Sequence, residues 1–256
     1  MSQSSLSEAT ARMQVHSAAS RFSLVYQPVI SIAAGKRSVV AFESLLRING
    51  LGAGEGTVQF ITKAESDGSI VAVDRWVLSQ VIALTRARPR LSVWLNTSQL
   101  SIAHPTFVTD ALAAMKAGQV VGQVSFEMTE TADADEKILA KRLEDMKVQA
   151  LTVMLDDVTD GFAKRGLLLS ESVAGCKLSR QTTVALLESE RVRAEVQQLV
   201  KVCRRLGKRI VLEGIETTDE LRLAMDLDIT LCQGYYFCKP ASPANLLQYP
   251  QMRPVG

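Results

Sequence analysis

The chain has 256 residues, of which 47% are hydrophobic, and it carries a formal net charge of +2. This length and composition fit one large α/β domain with a sizeable core. The nearly balanced charge excludes a broad basic surface for DNA or RNA, and no apolar run in the sequence is long enough to cross a bilayer. We therefore expect neither a nucleic-acid partner nor a membrane partner.

The cysteines and histidines argue against a zinc site. The four cysteines lack the Cys-x-x-Cys spacing of such a site, and the chain has only two histidines. Because the sequence shows no secretory signal, we expect the cysteines to be reduced and buried and the protein to be cytoplasmic. We predict a flexible polar leader at residues 1–20, one domain at residues 21–248 and a tail at residues 249–256.

Strand-like runs follow one another from residue 23 to residue 233, and helical patterns separate most of them. The predicted strands are Ser23–Ile32, Val39–Arg47, Leu91–Asn96, Val124–Met128, Thr152–Asp156, Gly175–Leu178, Arg209–Glu213 and Thr230–Gln233. The predicted helices are Val71–Arg86, Pro105–Ala117, Asp133–Lys147, Thr182–Leu206 and Thr217–Met225. The glycine-rich stretch 50–56 is predicted to be a flexible connection.

The alternation of strands and helices predicts an α/β fold, a TIM-like (β/α)8 barrel. The first two strands are joined only by Ala33, Ala34, Gly35 and Lys36. A parallel crossover needs about a dozen residues or more, so this pair must form a β1–β2 hairpin. We therefore predict a barrel with one antiparallel strand, in which the carboxyl ends of the other strands share one rim.

Polar and charged side chains stand where buried strands normally end in Val, Ile or Leu. A carboxylate in such a place is desolvated at a cost unless an ion or a hydrogen bond compensates it. The residues concerned are Glu43, Asn96, Glu127, Asp156, Asp157, Lys177, Glu213 and Gln233. Hard cations such as Mg²⁺ and Mn²⁺ prefer oxygen ligands of this kind. So many carboxylates suit two ions bridged by Asp156, and paired ions of this type act on phosphoryl groups.

Further residues near these strands suit phosphate chemistry. Lys177 could stabilise phosphate charge or hold an attacking water molecule, and Arg47 could bind a phosphate through two hydrogen bonds. Gln27 and Gln233 offer amides to the edge of a base or to a phosphate oxygen.

Each of these residues also has a simpler interpretation. A single strand-end Glu or Asn is usually a turn former or a helix N-cap, and two successive aspartates suit a turn. Glu213 and Glu216 could simply open the following helix. Lys177 could be a half-buried ion-pair partner, or the Schiff-base nucleophile of an aldolase. The whole series favours a site, because independent turn formers have no reason to occupy successive strand ends.

With these residues in place, the chain resembles the EAL-domain family of bacterial cyclic di-GMP phosphodiesterases. The matching motifs are Tyr26-Gln27-Pro28, Glu43-Ser44-Leu45-Leu46-Arg47, Asn96-Thr97-Ser98, Glu127-Met128-Thr129-Glu130, Asp156-Asp157, Lys177, Glu213-Gly214-Ile215-Glu216 and Gln233-Gly234-Tyr235. The resemblance covers about residues 21–246. It implies a barrel with one antiparallel strand and the hydrolysis of cyclic di-GMP to linear pGpG with Mg²⁺ or Mn²⁺.

The resemblance also implies a role for each matched residue. The implied metal ligands are Glu43, Asn96, Glu127, Asp156 and Asp157, with Glu213 near the second ion. Lys177 would lie at the nucleophilic water molecule and act in catalysis with Glu213. Gln27, Arg47 and Gln233 would contact the dinucleotide, and Glu130 and Glu216 would support the surrounding loops.

Two departures from the family pattern concern groups that orient the ligands. The family's Asp-Asp-Phe-Gly-Thr-Gly loop is altered at residues 158–160, where Val158 replaces Phe and Asp160 adds a negative charge. Ser179 replaces an Asp that organises the metal-bound water in the family. These changes suggest an alternative: a cyclic di-GMP receptor with little or no turnover that acts through a protein partner. The family also pairs through surfaces beside this loop, so we expect a homodimer.

Overall fold

The computed structural model describes residues 21–50, 55–158 and 162–245. The strands are β1 (Phe22–Ser31), β2 (Ser38–Ile48), β3 (Val93–Thr97), β4 (Val124–Met128), β5 (Thr152–Leu155), β6 (Gly175–Leu178), β7 (Arg209–Leu212) and β8 (Leu231–Cys232). The α-helices are α1 (Glu55–Ser66), α2 (Ile70–Ala87), α3 (Gln99–Ala103), α4 (Phe107–Gly118), α5 (Glu136–Val148), α6 (Phe162–Leu169), α7 (Arg180–Glu188), α8 (Glu190–Arg205) and α9 (Thr218–Asp226). Single 3-10 turns occupy Ala33–Gly35 and Val121–Gln123.

The strands form a closed barrel in chain order. Strand β1 pairs antiparallel with both β2 and β8, and every other neighbouring pair is parallel. The predicted barrel with one antiparallel strand and a β1–β2 hairpin is therefore confirmed. Within the hairpin, Gln27 lies opposite Glu43, and residues directly opposite each other in an antiparallel pair point to the same face.

The strands are formed by short apolar runs that are covered on both faces. All residues of β4 and β6 are buried, as expected for parallel strands enclosed by helices. Inside the barrel, one apolar layer consists of Val29, Ala41, Trp94, Met154 and Val211. This layer closes the interior of the barrel beneath the carboxyl ends of the parallel strands.

Several helix boundaries differ from those predicted. The single helix predicted from residue 182 to residue 206 is wrong, because α7 and α8 are separate helices divided at Ser189. The Ser189 hydroxyl accepts a hydrogen bond from the backbone N–H of Val192 at 3.3 Å, which caps the start of α8. Helices α1, α3 and α6 were not predicted. Helix α1 begins at Glu55, so the flexible connection predicted for residues 50–56 is wrong for residues 55 and 56, which are helical.

Other sequence predictions concern the chain ends, the cysteines and the membrane. The predicted leader, the predicted tail and Asp160 lie outside the described residues. All four cysteines are free and buried, as predicted. Within the described ranges, none of the helices has both the length and the apolar character needed to cross a membrane.

Candidate active site

Alternation along the strands explains why the polar side chains meet. Five of them stand two positions along their strand from a residue of the apolar layer. The pairs are Gln27 with Val29, Glu43 with Ala41, Asn96 with Trp94, Asp156 with Met154, and Glu213 with Val211. Since side chains point to the same face of a strand every second residue, these five polar residues continue the interior of the barrel above the layer.

Lys177 on β6 is the centre of this polar group. Its side chain is only 1% exposed. Its Nζ atom lies 3.3 Å from Glu43 Oε2 and 3.2 Å from Glu127 Oε2. It lies 3.7 Å from Asp156 Oδ1 and also pairs with Glu213 Oε1. We call Lys177 and these four carboxylates, which come from β2, β4 and the ends of β5 and β7, the carboxylate cluster.

Amide side chains connect the cluster to β1, β3 and β8. Asn96 Nδ2 donates to Glu43 Oε1 at 2.8 Å, and Gln233 Nε2 donates to Glu43 Oε2 at 2.7 Å. Gln233 Nε2 also donates to Gln27 Oε1 at 3.2 Å, and Gln27 Nε2 donates to the backbone carbonyl of Cys238 at 3.1 Å. The predicted convergence of residues from separate strands therefore agrees with the geometry.

Burial raises the pKa values of Glu127 and Glu213, whereas Lys177 and amide donors lower the pKa of Glu43. Burial raises the pKa of Glu127 well above its usual range despite the attraction of Lys177, and the neighbouring carboxylates raise it further. Burial likewise raises the pKa of Glu213 to about 8. Burial opposes ionisation of Glu43 as well, but Lys177 and two amide donors outweigh it and hold its pKa below the usual value. The carboxylates together hold the pKa of Lys177 well above its usual value, although burial acts to lower it.

The donor set fits divalent cations. With all four carboxylates ionised, the cluster would carry a formal net charge of −3, which a buried site compensates with cations or protons. Glu127 Oε1 is buried and has no hydrogen-bond partner among the described residues. In the observed side-chain positions, no group of three or more acidic, His or Cys residues in the described chain could hold a metal ion. The four carboxylates instead point toward Lys177. A cation would therefore require these side chains to turn away from the ammonium group.

One predicted site residue, Glu43, is placed differently from the expectation. Glu43 does not end its strand, because β2 continues to Ile48. It reaches the cluster because the long hairpin extends past the apolar layer. Arg47 lies outside the contacts of Lys177; its Nη1 donates to the carbonyl of Leu46 at 2.9 Å, and its side chain lines a cavity beside β2.

The loop residues predicted to support the site take varied positions. Asp157 follows Asp156 with a left-handed backbone, φ 47°, which Asp tolerates better than most residues. Glu130 is exposed just after β4. Glu216 is exposed and pairs with Arg180 at 3.3 Å. Ser179 precedes α7, and its Oγ lies 3.4 Å from Thr182 Oγ1.

A cavity of about 220 Å³ lies beside the carboxylate cluster. It is lined by Arg47 and by Asn96, and the Asn96 side chain donates to Glu43 of the cluster. Apolar side chains from β2, α1 and α2 form most of its wall, and two buried acids, Glu65 and Asp74, complete it. Glu65 Oε1 accepts from Ser98 Oγ at 2.8 Å, and Asp74 Oδ2 accepts from the Ser98 backbone N–H at 3.0 Å. The sequence pattern does not predict this pair of buried acids. It indicates them only by an acidic residue on the apolar face of each of two helices.

Asp74 provides a prediction about pH and stability. Burial raises the pKa of Asp74 to about 7, and nearby Glu65 adds to the shift, while hydrogen bonds from Ser101 and Ser98 oppose it. Because an unfolded Asp has a pKa of about 3.9, the contribution of this group to stability is fully present below about pH 4 and is lost as the pH rises to about 7. The Asp74→Asn variant cannot titrate at this position. Its free energy of unfolding, relative to that of wild type, should therefore rise by about 2–3 kcal/mol as the pH goes from 5 to 8, at about 1.4 kcal/mol per pKa unit.

Urea denaturation of both proteins at several pH values in the presence of a chelator measures this difference. The comparison cancels the titration of the carboxylate cluster, which both proteins share. A difference in unfolding free energy that stays constant from pH 5 to pH 8 would show that Asp74 has an ordinary pKa.

Comparison with known proteins gives consistent matches over nearly the whole domain. A model of the EAL domain family matches residues 8–240. The cyclic di-GMP phosphodiesterase NbdA of Pseudomonas aeruginosa is 27% identical over 237 residues, which cover 88% of this chain and 30% of NbdA. The biofilm architecture maintenance protein MbaA of Vibrio cholerae is also 27% identical, over 88% of this chain and 29% of MbaA. The chain thus spans about a third of the length of the curated relatives it matches.

Solved structures share the fold. The PaMucR phosphodiesterase in complex with c-di-GMP has a TM-score of 0.79 at 24% identity, covering 93% of this chain and 99% of that one. An EAL domain protein from Listeria monocytogenes also has a TM-score of 0.79, at 21% identity, covering 98% of each chain. These likenesses confirm the barrel architecture.

Proposed function

Because the chain belongs to the EAL domain family, we propose that it is a phosphodiesterase that hydrolyses cyclic di-GMP to linear pGpG with Mg²⁺ or Mn²⁺. The observation that carries this proposal is the carboxylate cluster, in which four carboxylates from separate strands surround one buried ammonium group. A buried excess of negative charge suits cations, which can in turn bind a phosphate substrate, and it does not suit an aldolase lysine, which needs an uncharged amine to attack a carbonyl.

The residues proposed to hold two cations are the oxygen donors of the site. They are Glu43, Asn96, Glu127, Asp156, Asp157 and Glu213. Divalent cations in such a site polarise a phosphoryl group and activate water at neutral pH. This proposal is supported by the unpartnered oxygen of Glu127 and by the pKa values of Glu127 and Glu213, which burial and then the neighbouring carboxylates raise, since bound cations would stabilise the charged form of both groups.

The protein's own residues would bind and orient the reacting groups. In the proposed reaction, water attacks one phosphorus atom and the bond to the 3′ oxygen breaks, which leaves a 5′-phosphate. Lys177 would turn from Glu43, Glu127 and Asp156 toward the attacking water, while Glu213, its partner in the structure, would keep the ammonium group in place. Gln27, Gln233 and Arg47 would contact the dinucleotide, because the first two flank Glu43 and the third lines the adjoining cavity.

The cavity beside Arg47 suits one guanine base of the substrate. Its volume of about 220 Å³ is smaller than that of a pocket for a whole ligand, and its apolar walls suit one planar base. Guanine presents an amino group as a donor, and Glu65 Oε2 is buried without a hydrogen-bond partner among the described residues. Cyclic di-IMP, whose bases lack only the 2-amino group of guanine, is therefore the matched control ligand and should bind more weakly.

A second candidate function is a cyclic di-GMP receptor with little turnover that acts through a protein partner or as a homodimer. It is favoured by Ser179, which has no charge to offer the site, and by the altered loop at Val158, whose side chain is buried in the main core. Isothermal titration with cyclic di-GMP, combined with chromatography for pGpG, separates the two functions. Binding without product supports the receptor, and product formation supports the enzyme.

Ser179→Asp should raise the turnover of cyclic di-GMP several-fold. Ser179 follows Lys177 by two residues and thus points to the same side of the barrel, so a carboxylate at this position adds an acceptor for the water molecule. Ser179→Asn is the matched control, because asparagine has the size and the helix-capping ability of aspartate but carries no charge. Equal turnover in both variants would show that the charge at this position does not limit the reaction.

A further inference from the structure

We propose that Arg180, at the start of α7, is a positioning residue for Glu213, and that it acts by fixing the loop of residues 213–217. This inference rests on the proposed function, in which Glu213 takes part in the site. It assigns a role to a residue that lies outside the carboxylate cluster and makes no contact with Lys177.

The Arg180 guanidinium group joins three parts of the loop region. Its Nη1 atom donates to the backbone carbonyl of Gly214, the residue after Glu213. The same atom donates to Glu220 Oε1 on α9 at 2.5 Å, and its Nη2 atom donates to Glu216 Oε2 at 3.3 Å. A planar guanidinium group can hold several acceptors in fixed directions, which a lysine ammonium group cannot do to the same extent.

Glu220 extends this connection back into the loop. It is buried, and its other oxygen accepts from the backbone N–H groups of Glu216 at 2.6 Å and Thr217 at 2.9 Å. These hydrogen bonds, together with Arg180, hold the pKa of Glu220 below its usual value although burial acts to raise it. Arg180 and Glu220 therefore close the loop as an ion pair whose two members both bind its backbone.

The loop backbone around Glu213 is restrained from the same side. Thr183 Oγ1 donates to the Glu213 carbonyl at 2.5 Å. Gly214 adopts φ +67°, and a β-carbon there would lie 2.3 Å from the Arg180 side chain. A glycine is therefore required where Arg180 packs against the loop. The backbone that carries the Glu213 side chain toward Lys177 is thus held by Thr183 at the Glu213 carbonyl and by Arg180 at the Gly214 carbonyl.

Loss of Arg180 should alter the position of Glu213 in the site and leave the contacts with the substrate unchanged. Residues that orient metal ligands typically change metal affinity or activity by about 10- to 100-fold. We expect Arg180→Ala to lower kcat for cyclic di-GMP at least about tenfold, with KM nearly unchanged, and to weaken Mn²⁺ binding to the metal-free protein by a similar factor. Arg180→Lys, which keeps the charge, should recover part of both losses.

The test measures kcat, KM, Mn²⁺ affinity by calorimetry and the melting temperature for wild type, Arg180→Ala, Arg180→Lys and Glu220→Gln. Glu220→Gln keeps hydrogen-bonding capacity at this position, so it provides a folded variant if Arg180→Ala fails to fold. The double variant Arg180→Ala/Glu220→Gln should lose no more activity than Arg180→Ala alone, because the effects of substitutions within one network are not additive. Arg191→Ala, which removes a side chain that is 88% exposed and paired only with Glu195 in the described chain, is the control and should match wild type.

The results distinguish this inference from the proposed function. A lower melting temperature with unchanged kcat and Mn²⁺ affinity in Arg180→Ala and Glu220→Gln would overturn the positioning role and leave a structural one. If wild type forms no pGpG, the proposed function fails, and the Mn²⁺ affinities alone then decide the role of Arg180: a tenfold loss supports it, and an unchanged affinity contradicts it.

Discussion

Lys177→Met is expected to abolish turnover of cyclic di-GMP and to destabilise the metal-free protein. Removing the ammonium group leaves buried carboxylates without a counter-charge, and removing one partner of a buried ion pair typically costs about 3–5 kcal/mol. Turnover should fall by at least about a hundredfold, because the lysine would no longer orient the attacking water. Guanidinium denaturation in the presence of a chelator measures the first effect, and chromatography of pGpG measures the second.

The matched control for this variant is Lys147→Met. Lys147 forms an exposed ion pair with Glu171 at 2.6 Å, and exposed pairs contribute about 1 kcal/mol or less. Added Mn²⁺ should stabilise Lys177→Met more than it stabilises wild type, since cations can replace the missing charge. If Lys177→Met is as stable and as active as the control, the carboxylate cluster is neither the main electrostatic feature of the fold nor the active site.

Glu43→Gln should lower turnover by about a thousandfold, the loss expected when several kcal/mol of metal-assisted stabilisation disappear. Glu43 links the amide side chains to the carboxylate cluster, because it accepts hydrogen bonds from both Asn96 and Gln233 while it pairs with Lys177. The amide keeps the size of the side chain but loses the charge and one acceptor. Mn²⁺ binding, measured by calorimetry, should weaken in parallel.

The control for Glu43→Gln is Glu195→Gln, the same change at an exposed position on α8 that pairs with Arg191 at 3.0 Å. It should retain wild-type turnover and Mn²⁺ affinity. Full turnover in Glu43→Gln, with Mn²⁺ affinity unchanged, would exclude this carboxylate as a metal ligand and would place the reaction elsewhere in the molecule.

The barrel and its one antiparallel strand could be predicted because they depend on local signals. The four residues between the first two strands allow only a hairpin, and the alternation of strands and helices predicts the rest of the barrel. Helix ends were less predictable: Ser189 divides α7 from α8 through a single cap, and that signal is hidden inside a continuous apolar pattern. Helix α3 has five residues, too few to show a helical period.

The residues that meet in the carboxylate cluster could be predicted from the sequence, but their mutual arrangement could not. Polar residues at strand ends identify Glu127, Asp156 and Glu213, because each interrupts an apolar run. That Lys177 would stand at their centre depends on the register of β6 against its neighbours, which no local pattern encodes. The roles of Arg180 and Glu220 depend on contacts between α7 and α9, which are 40 residues apart in sequence at this ion pair, so they are visible only in the folded chain.

The initial rate of pGpG formation from cyclic di-GMP, measured as a function of Mn²⁺ concentration, tests the central claim most directly. We predict that wild type forms no product in the presence of a chelator, that the rate rises to a plateau with added Mn²⁺, and that Glu43→Ala purified in the same way forms none at any concentration. A rate that is the same with and without Mn²⁺, or product formation that survives in Glu43→Ala, would contradict the assignment of the carboxylate cluster as a metal-dependent phosphodiesterase site.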